Sequence, residues 1–184
     1  MRARAMRACV VFDTRYGNTE KIARAFGAGL GGAGVQTACL NTTDVTPESL
    51  GQYDLICIGA PTEWHTSSKP MKEFLRSLKG ADLAGKYAFA FDTKLRQPLS
   101  GSAAKFIEKE LKRLGFEILA PRESATVHTT ARGVAGATLE EGEEQRFGRI
   151  GASVGGALAR ATPPESNAPA EAQRTLMRGS PARH

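Results

Sequence analysis

The sequence predicts a single α/β domain, built as a doubly wound parallel sheet with helices on both faces. The chain has 184 residues, a length typical of one domain, and 41% of them are hydrophobic, which is enough for a sizeable core. Short apolar runs alternate five times with segments of helical spacing. One run, residues 54–58, is almost continuously apolar, as expected for a strand covered on both faces. This alternation predicts parallel strands joined by right-handed helical crossovers.

The first half of the chain contains three predicted strands. Residues 8–12 and 35–40 predict two of them, and residues 19–30 predict an intervening helix that ends at a cluster of glycines. The apolar face of that helix consists of Ile22, Ala23, Phe26 and Leu30. Residues 47–50 predict a short helical turn before the third strand at 54–58.

The second half continues the alternation with longer helices. The predicted elements are a helix over 71–78, a strand over 87–91, a helix over 106–114, a strand beginning within 116–119 and a helix over 139–161. The span 120–138 shows neither helical nor strand periodicity, so it is predicted to be irregular. The domain is therefore expected to cover residues 8–161.

Both ends of the chain differ from this domain in composition. The chain has 25 Lys and Arg against 19 Asp and Glu, and three of the arginines fall in residues 1–7, a predicted basic extension. Residues 162–184, rich in Pro and Ala and also carrying Arg, predict a disordered tail. No dense basic stripe with interleaved aromatic residues is present, which argues against nucleic-acid binding. The basic ends are interpreted as solvated termini, with attraction of an acidic partner as the alternative.

The cysteines and the opening residues indicate the cellular compartment in which the protein is expected. Cys9, Cys39 and Cys57 form no CxxC pair and each lies in an apolar run, which favours buried thiols in a reducing compartment. The sequence contains no run of the ~20 apolar residues that a bilayer span requires. Its start lacks the apolar stretch of a signal peptide, so a cytoplasmic location is expected.

The segment that follows the first strand, residues 13–19, predicts an anion-binding loop. Thr14 and Thr19 offer hydroxyl groups, Gly17 permits close approach of the backbone, and Asn18 tolerates a turn conformation. The next helix begins at this point, so its unpaired amides face the loop and favour a phosphate. The alternative is that Asn18 or Thr19 only caps the helix.

Residues 10–19, Val-Val-Phe-Asp-Thr-Arg-Tyr-Gly-Asn-Thr, followed by Ala23, resemble the phosphate loop of flavodoxins. Phe26 departs from the aliphatic residue usual in the family, and no Gly-Lys-Ser/Thr follows as in a Walker loop. A response-regulator receiver would need an acceptor Asp at the end of the third strand, where this chain has Ile58-Gly59-Ala60.

The resemblance to flavodoxins covers about residues 8–160. It implies a five-stranded parallel sheet in the order 2-1-3-4-5, one noncovalent FMN and electron transfer, with the phosphate held by Thr14, Arg15, Tyr16, Gly17, Asn18 and Thr19.

A second loop, residues 59–65, also matches the family, whose third strand ends in Gly/Ser-x-Pro-Thr. The resemblance implies that the only tryptophan, Trp64, stacks on the isoalloxazine ring, and that backbone groups of Thr62 and Glu63, after Pro61, face the flavin N5 edge. The alternative is that Trp64 packs on the sheet edge. His65 is interpreted as a rim residue rather than a catalytic one.

The third loop, residues 92–102, corresponds to the segment that holds the pyrimidine end of the flavin in flavodoxins. The resemblance assigns cofactor contacts to Asp92, Thr93, Lys94 and Leu95. No aromatic residue occurs between Phe91 and Phe106, so the usual second stacking ring is missing here and Leu95 is expected to cover that flavin face. Lys94 and Arg96 would bring positive charge to the N1–O2 edge, or are solvated surface charges.

Two departures from the family bear on the redox chemistry. One-electron shuttles often carry a glycine beside N5 whose peptide flips on reduction, but no glycine lies between Ala60 and Pro70. A residue with a Cβ pays a steric cost at positive φ, so the one-electron-reduced state should be stabilised less. The domain is also nearly neutral, whereas typical flavodoxins are acidic, so the fully reduced flavin should be less reducing.

The resemblance leaves two main functions open. The first is an FMN electron carrier that works with redox partner proteins, a reductase and an acceptor, as a monomer or weak dimer. The second is an FMN-dependent oxidoreductase acting on a quinone, a porphyrinogen or NAD(P)H. A flavodoxin-like domain that has lost its cofactor is the remaining alternative. No catalytic residue or metal ligand is assigned from the sequence.

Overall fold

The computed structural model describes residues 4–97 and 101–161. The predicted tail at 162–184 and residues 98–100 of the third loop lie outside the described residues. In chain order the elements are β1 (Arg7–Phe12), α1 (Asn18–Gly32), β2 (Gln36–Asn41), two short 3-10 helices (Thr42–Asp44 and Glu48–Gln52), β3 (Leu55–Glu63), β4 (Thr66–Ser67), α2 (Lys69–Ser77), β5 (Tyr87–Leu95), α3 (Ala103–Arg113), β6 (Glu117–Ile118), β7 (Glu123–Thr130), β8 (Gly133–Leu139) and α4 (Glu143–Ala161). Within this part of the chain no helix has both the length and the apolar character to cross a bilayer.

The strands form one mostly parallel sheet, which confirms the predicted fold class. Its order is β2-β1-β3-β5-β7-β8, with β8 antiparallel to β7 at the edge. The first four positions match the predicted order 2-1-3-4. The fifth position is divided, because β6 pairs with the beginning of β5 and β7 pairs with its end. The strand count therefore exceeds the predicted five, while the topology fits.

The prediction that residues 120–138 are irregular was wrong. This span contains β7 and most of β8, which form a hairpin at the sheet edge. Among the hairpin residues whose burial is described, Ala125, Val127 and Ala137 are buried, so the apolar alternation that marks a strand is too sparse to detect. For the same reason the last helix was placed too early: Leu139 ends β8, and α4 begins at Glu143.

Helices cover both faces of the sheet. On one face α1 and α4 pack over a stack of aromatic rings in which the Phe26 and Phe89 centroids are 5.0 Å apart, with Phe91 and Phe147 beside them. On the other face α2 and α3 contribute a separate apolar cluster, including Met71, Phe74, Ile107 and Leu111. Side chains alternate between these clusters along β1, β3 and β5, which is the pattern of strands buried on both faces.

The helices α1 and α4 lie unusually close together because glycines line their interface. A Cβ on Gly29 would clash with the carbonyl oxygen of Gly148, and one on Gly151 would clash with that of Phe26. The two backbones are therefore in direct contact. This contact fixes the axis of α1, whose first turn faces the candidate site.

Candidate functional site

A cavity of about 580 Å³ lies at the carboxyl ends of β1, β3 and β5. Ligands of open α/β sheets bind at this edge, where the strand order reverses, and the volume falls within the ~300–1,000 Å³ typical of small-molecule sites. A larger groove of about 860 Å³, between the second 3-10 helix and residues 77–86, lies at the amino ends of the strands. We therefore assign the site to the smaller cavity.

Three segments predicted from the sequence meet around this cavity. Of the predicted cofactor-binding residues, Gly17 and Asp92 do not line it. Those that do are Thr14, Arg15, Tyr16, Asn18, Thr19, Pro61, Thr62, Glu63, Trp64, Thr93, Lys94 and Leu95. His65 lies at the rim, and Gln97, Val127 and Ala137 complete the lining. Val127 and Ala137 were missed because they belong to the β7–β8 hairpin, which carries no sequence periodicity.

The first loop places the amino terminus of α1 at the cavity. Gly17, at a φ of 85°, is the residue that precedes the helix, and its amide donates to Thr14 Oγ1 over 3.1 Å. In the described part of the chain, no side chain caps the first amides of α1. The capping alternative for Asn18 and Thr19 is therefore wrong. Uncapped amides at a helix amino terminus form a site suited to an anion.

Asn18 and Thr19 use their side chains to hold the site together. The Asn18 Nδ2 group donates to the carbonyl oxygen of Ala137 in β8 over 2.8 Å. Thr19 Oγ1 lies 2.9 Å from Thr93 Oγ1 in β5. Both residues are buried. They tie the first loop to the sheet and to the hairpin, and these long-range contacts have no local sequence signal.

The second loop is a two-residue hairpin turn between β3 and β4. Glu63 pairs with Thr66 across it, and the two central residues, Trp64 and His65, have φ values of 47° and 68°. Positive φ at both centres defines a type I′ turn, which usually carries Asn-Gly because a Cβ is disfavoured there. Gly101 supports the turn from outside, since a Cβ at that position would clash with the backbone of His65.

Trp64 projects from this turn with 93% of its surface exposed. The alternative that it packs on the sheet edge is therefore wrong. Tyr16, on the first loop, is also exposed, at 44%, and lines the same cavity. The cavity thus has an accessible aromatic side chain on each of two loops. The sequence suggested one aromatic contact, because Tyr16 was considered only as part of the phosphate loop.

Asp92 lies behind the cavity, fully buried. Its Oδ2 atom accepts hydrogen bonds from Thr62 Oγ1 at 3.0 Å, from Ser102 Oγ at 2.7 Å and from the Ala104 amide at 2.9 Å. Thr62 Oγ1 also accepts from the Ala103 amide at 2.9 Å. Asp92 therefore joins the second loop to the start of α3, and its role is to support the site rather than to line it.

The positive charge expected at the cavity is partly compensated. Arg15 lies 3.6 Å from Glu63, and Arg96 forms a 2.5 Å ion pair with Glu140. Lys94 has no ion-pair partner among the residues described. The cavity is consequently less electropositive than the three cations alone suggested.

The hairpin that lines the cavity is anchored to α4 by Arg146 and Glu143. Arg146 donates to Glu123, to Glu143 and to the carbonyl oxygen of Ser124, while Glu143 accepts from the Thr126 amide at 2.8 Å. Burial alone would raise the pKa of Glu143, but the hydrogen bonds and positive charge of Arg146, with the Thr126 amide, outweigh it. The pKa of Glu143 therefore lies below its usual value.

The cysteines take no part in the site. Cys9 and Cys57 are buried, as expected, and Cys39 is half-buried. Burial, together with the neighbouring Cys39, raises the pKa of the Cys9 thiol to about 12, and burial raises that of Cys57 well above its usual value. These thiols are protonated at neutral pH and are poor nucleophiles.

A model of one known protein family matches the sequence across the segments that surround the cavity. The family model for flavodoxin matches residues 10–150, which is most of the chain. The chain belongs to the flavodoxin family. Members of this family bind a flavin, typically FMN.

Solved structures share the fold at low sequence identity. A flavodoxin from the domain Archaea is 22% identical with a TM-score of 0.69, and the match covers 83% of this chain and 99% of that one. Flavodoxin 1 from Bacillus cereus is 20% identical with a TM-score of 0.68, covering 80% of this chain and 96% of that one. The Flv1 flavodiiron core from Synechocystis is 19% identical with a TM-score of 0.69, covering 87% of this chain but only 38% of that one. These likenesses show the fold alone.

Proposed function

We propose that this protein binds FMN in the cavity and transfers electrons between redox partner proteins. The observation that carries the proposal is the uncapped amino terminus of α1, which opens onto a cavity with exposed aromatic side chains. The first-loop amides, with Thr14, would hold the phosphate. Trp64 and Tyr16 would offer surfaces for the ring, and residues 93–95 would flank it. Bound FMN would supply reversible uptake of one or two electrons.

The exposure of Trp64 supports a bound aromatic ligand. An indole with 93% of its surface in contact with water is unusual, because burial of a large aromatic side chain is favourable. A flat ring stacked on one face would remove part of that surface from water. The neighbouring backbone is fixed by the type I′ turn and by Gly101, so the Cα–Cβ bond of Trp64 has its direction set before a ligand binds.

The cavity lining favours an electron carrier over an enzyme. Among the residues described, its only histidine is His65, on the exposed turn at the rim, and it contains no cysteine. The buried polar contacts of Asn18, Thr19 and Asp92 connect protein groups to one another. These three residues would therefore position the loops around a cofactor rather than transfer a proton to a substrate.

One observation favours the oxidoreductase alternative. Rotation of the peptide between Trp64 and His65 would convert the type I′ turn into type II′, whose first central position is normally glycine. Trp64 occupies that position, so the turn should resist rotation. A turn that cannot reorient would stabilise the one-electron-reduced flavin less, which favours two-electron chemistry with a quinone, a porphyrinogen or NAD(P)H.

Redox titration of the FMN-loaded protein tests both functions. We expect the purified full chain to take up FMN at micromolar concentration, with quenching of flavin fluorescence. Accumulation of a one-electron-reduced form during titration would support the carrier. Direct two-electron reduction, combined with NAD(P)H oxidation or quinone turnover, would support the enzyme. A protein that fails to take up FMN would exclude both.

A further inference from the structure

One face of the domain carries a local excess of positive charge. Residues 69–79 and 102–122, which contain α2 and α3, hold nine Lys and Arg residues against four Glu. Residues 18–32 and 140–161, which contain α1 and α4 on the opposite face, hold five of each sign. We call the first surface the α2–α3 face. Its cations are Lys69, Lys72, Arg76, Lys79, Lys105, Lys109, Lys112, Arg113 and Arg122.

The carboxylates of the α2–α3 face neutralise only some of its cations. Glu108 is nearly buried and accepts from Lys112 at 2.7 Å, with Arg122 at 3.4 Å. Glu110 pairs with Arg113 at 3.1 Å. In residues 4–97 and 101–161, no carboxylate lies within ion-pair distance of the exposed Arg76, Lys79, Lys105 and Lys109. The face therefore presents uncompensated positive charge to solvent.

The α2–α3 face begins beside the mouth of the cavity. Lys69 is the first residue of α2, which follows the Trp64 hairpin through β4. Lys105 lies in the first turn of α3, and Gly101, just before that helix, forms a bridge with His65. A groove of about 500 Å³ runs along α3, lined by Lys105, Lys109, Lys112, Arg113 and Arg122 around Glu108.

We propose that the α2–α3 face is the docking surface for an acidic redox protein. The proposal rests on the proposed function, because it places the partner next to the cavity that would hold FMN. Exposed cations that lack carboxylate partners can pair with the carboxylates of a protein surface, and their summed field would steer the encounter. The face offers little stacking surface for nucleic-acid bases, since Phe106 is half-buried with Lys72 Nζ 5.7 Å above its ring.

Stopped-flow kinetics with two proteins of opposite charge test the proposal. The FMN-loaded full chain is reduced and mixed with a plastocyanin, an acidic copper protein, or with a cytochrome c, a basic haem protein. Each two-electron-reduced FMN reduces two Cu(II) or two Fe(III) centres by one electron each and releases its protons to solvent. Raising salt from about 10 mM to about 100 mM shortens the Debye length from about 30 Å to about 10 Å. We expect the plastocyanin rate to fall about tenfold and the cytochrome c rate not to fall.

Matched charge reversals locate the effect on one face. The triple variant Arg76→Glu, Lys105→Glu, Lys109→Glu should lose the salt dependence with plastocyanin and most of the rate at low salt. The control Lys21→Glu, Arg149→Glu, Arg160→Glu changes the same net charge at exposed positions of α1 and α4. This control variant should keep at least half of the parent's low-salt rate with plastocyanin. Equal losses in both variants would show that net charge, rather than this face, governs the encounter, and would overturn the proposal.

A measurement without cofactor separates this proposal from the proposed function. Amide shifts of the isotope-labelled protein without FMN, titrated with oxidised plastocyanin, should change mainly in α2 and α3. If FMN binds but the shifts change elsewhere, the docking surface is wrong while the function stands. If FMN does not bind, the function is wrong and the shifts still test the surface. Tighter binding of a short DNA duplex to the same face at physiological salt would overturn the assignment to a protein partner.

Discussion

At the scale of single residues, Trp64 combines a strained backbone with an exposed side chain. Its φ of 47° lies in the left-handed region, where a residue with a Cβ costs about 1–2 kcal/mol. It also leaves almost all of its indole in water. Neither feature stabilises the free protein. Both are understandable if the side chain is positioned for a ligand, since strain of this kind tends to occur at binding sites.

Replacing Trp64 by Ala should weaken FMN binding without destabilising the fold. Loss of one stacking partner is worth roughly 1–3 kcal/mol, or about 5- to 150-fold in affinity. Because the side chain is exposed, the free energy of unfolding without FMN should change by less than about 0.5 kcal/mol. Fluorescence titration and urea unfolding measure the two effects. Trp64→Phe is the control and should retain most of the affinity, whereas unchanged affinity in Trp64→Ala would contradict the stacking role.

Thr62 is the residue through which Asp92 reaches the second loop. Thr62→Val removes the hydroxyl group that donates to Asp92 and accepts from the Ala103 amide. The Ala103 amide would lose its acceptor, at a cost of about 1–3 kcal/mol, while Asp92 Oδ2 keeps its donors from Ser102 and Ala104. The variant should therefore unfold at lower urea concentration and bind FMN more weakly. Thr62→Ser keeps the hydroxyl group and should remain close to the parent. Equal stability of the two variants would show that the hydroxyl is not needed.

At the scale of helices and strands, the glycines between α1 and α4 determine how closely these helices pack. Gly151→Ala places a methyl group against the carbonyl oxygen of Phe26 and should destabilise the protein by about 1–3 kcal/mol in urea unfolding. Gly156, in the same helix, has only the flexible end of Arg160 near its missing Cβ. Gly156→Ala should therefore stabilise by up to about 1 kcal/mol through helix propensity. Opposite signs of the two changes in unfolding free energy would distinguish the effect of close helix packing from that of helix propensity.

The anchor of the β7–β8 hairpin makes stability depend on acid pH. The pKa of Glu143 is lower in the folded protein than in the unfolded chain, where it is about 4.3. Its contribution to stability is complete above the unfolded pKa and is lost as pH falls through the folded pKa. Urea unfolding of Glu143→Gln should show lower stability than the parent at pH 7, and the difference should shrink towards pH 3. A constant difference would contradict the role of the charge.

Elements with a strong apolar pattern were predicted from the sequence, and those without one were not. The strands around residues 8–12, 54–58 and 87–91 carry continuous apolar runs and were recognised, although β3 and β5 continue past them into polar residues that line the site. The β7–β8 hairpin was missed because few of its described residues are buried, so its strands show no clear apolar alternation. In the site, the loop residues were found from local motifs. The hydrogen bond from Asn18 to Ala137 was not predicted, because it joins distant parts of the chain.

At the scale of the whole molecule, the charge distribution differs from what the linear sequence suggests. Counted along the chain, the excess of basic residues is concentrated at the ends and leaves the domain nearly neutral. Folding brings the cations of α2 and α3 onto one face, although residues 78–102 separate the two helices in the sequence. The rest of the domain carries a small excess of acidic residues, which offsets this face in the average. A near-neutral average therefore conceals a strongly basic face beside the cavity.

The bond between Asn18 and Ala137 also has a consequence for biosynthesis. The first loop leaves the ribosome long before β8, yet β8 supplies the carbonyl oxygen that accepts the hydrogen bond from the Asn18 side-chain amide. A nascent chain that has not yet released β8 lacks one wall of the cavity. If FMN binds in this cavity as proposed, its capture has to wait until β8 has been translated.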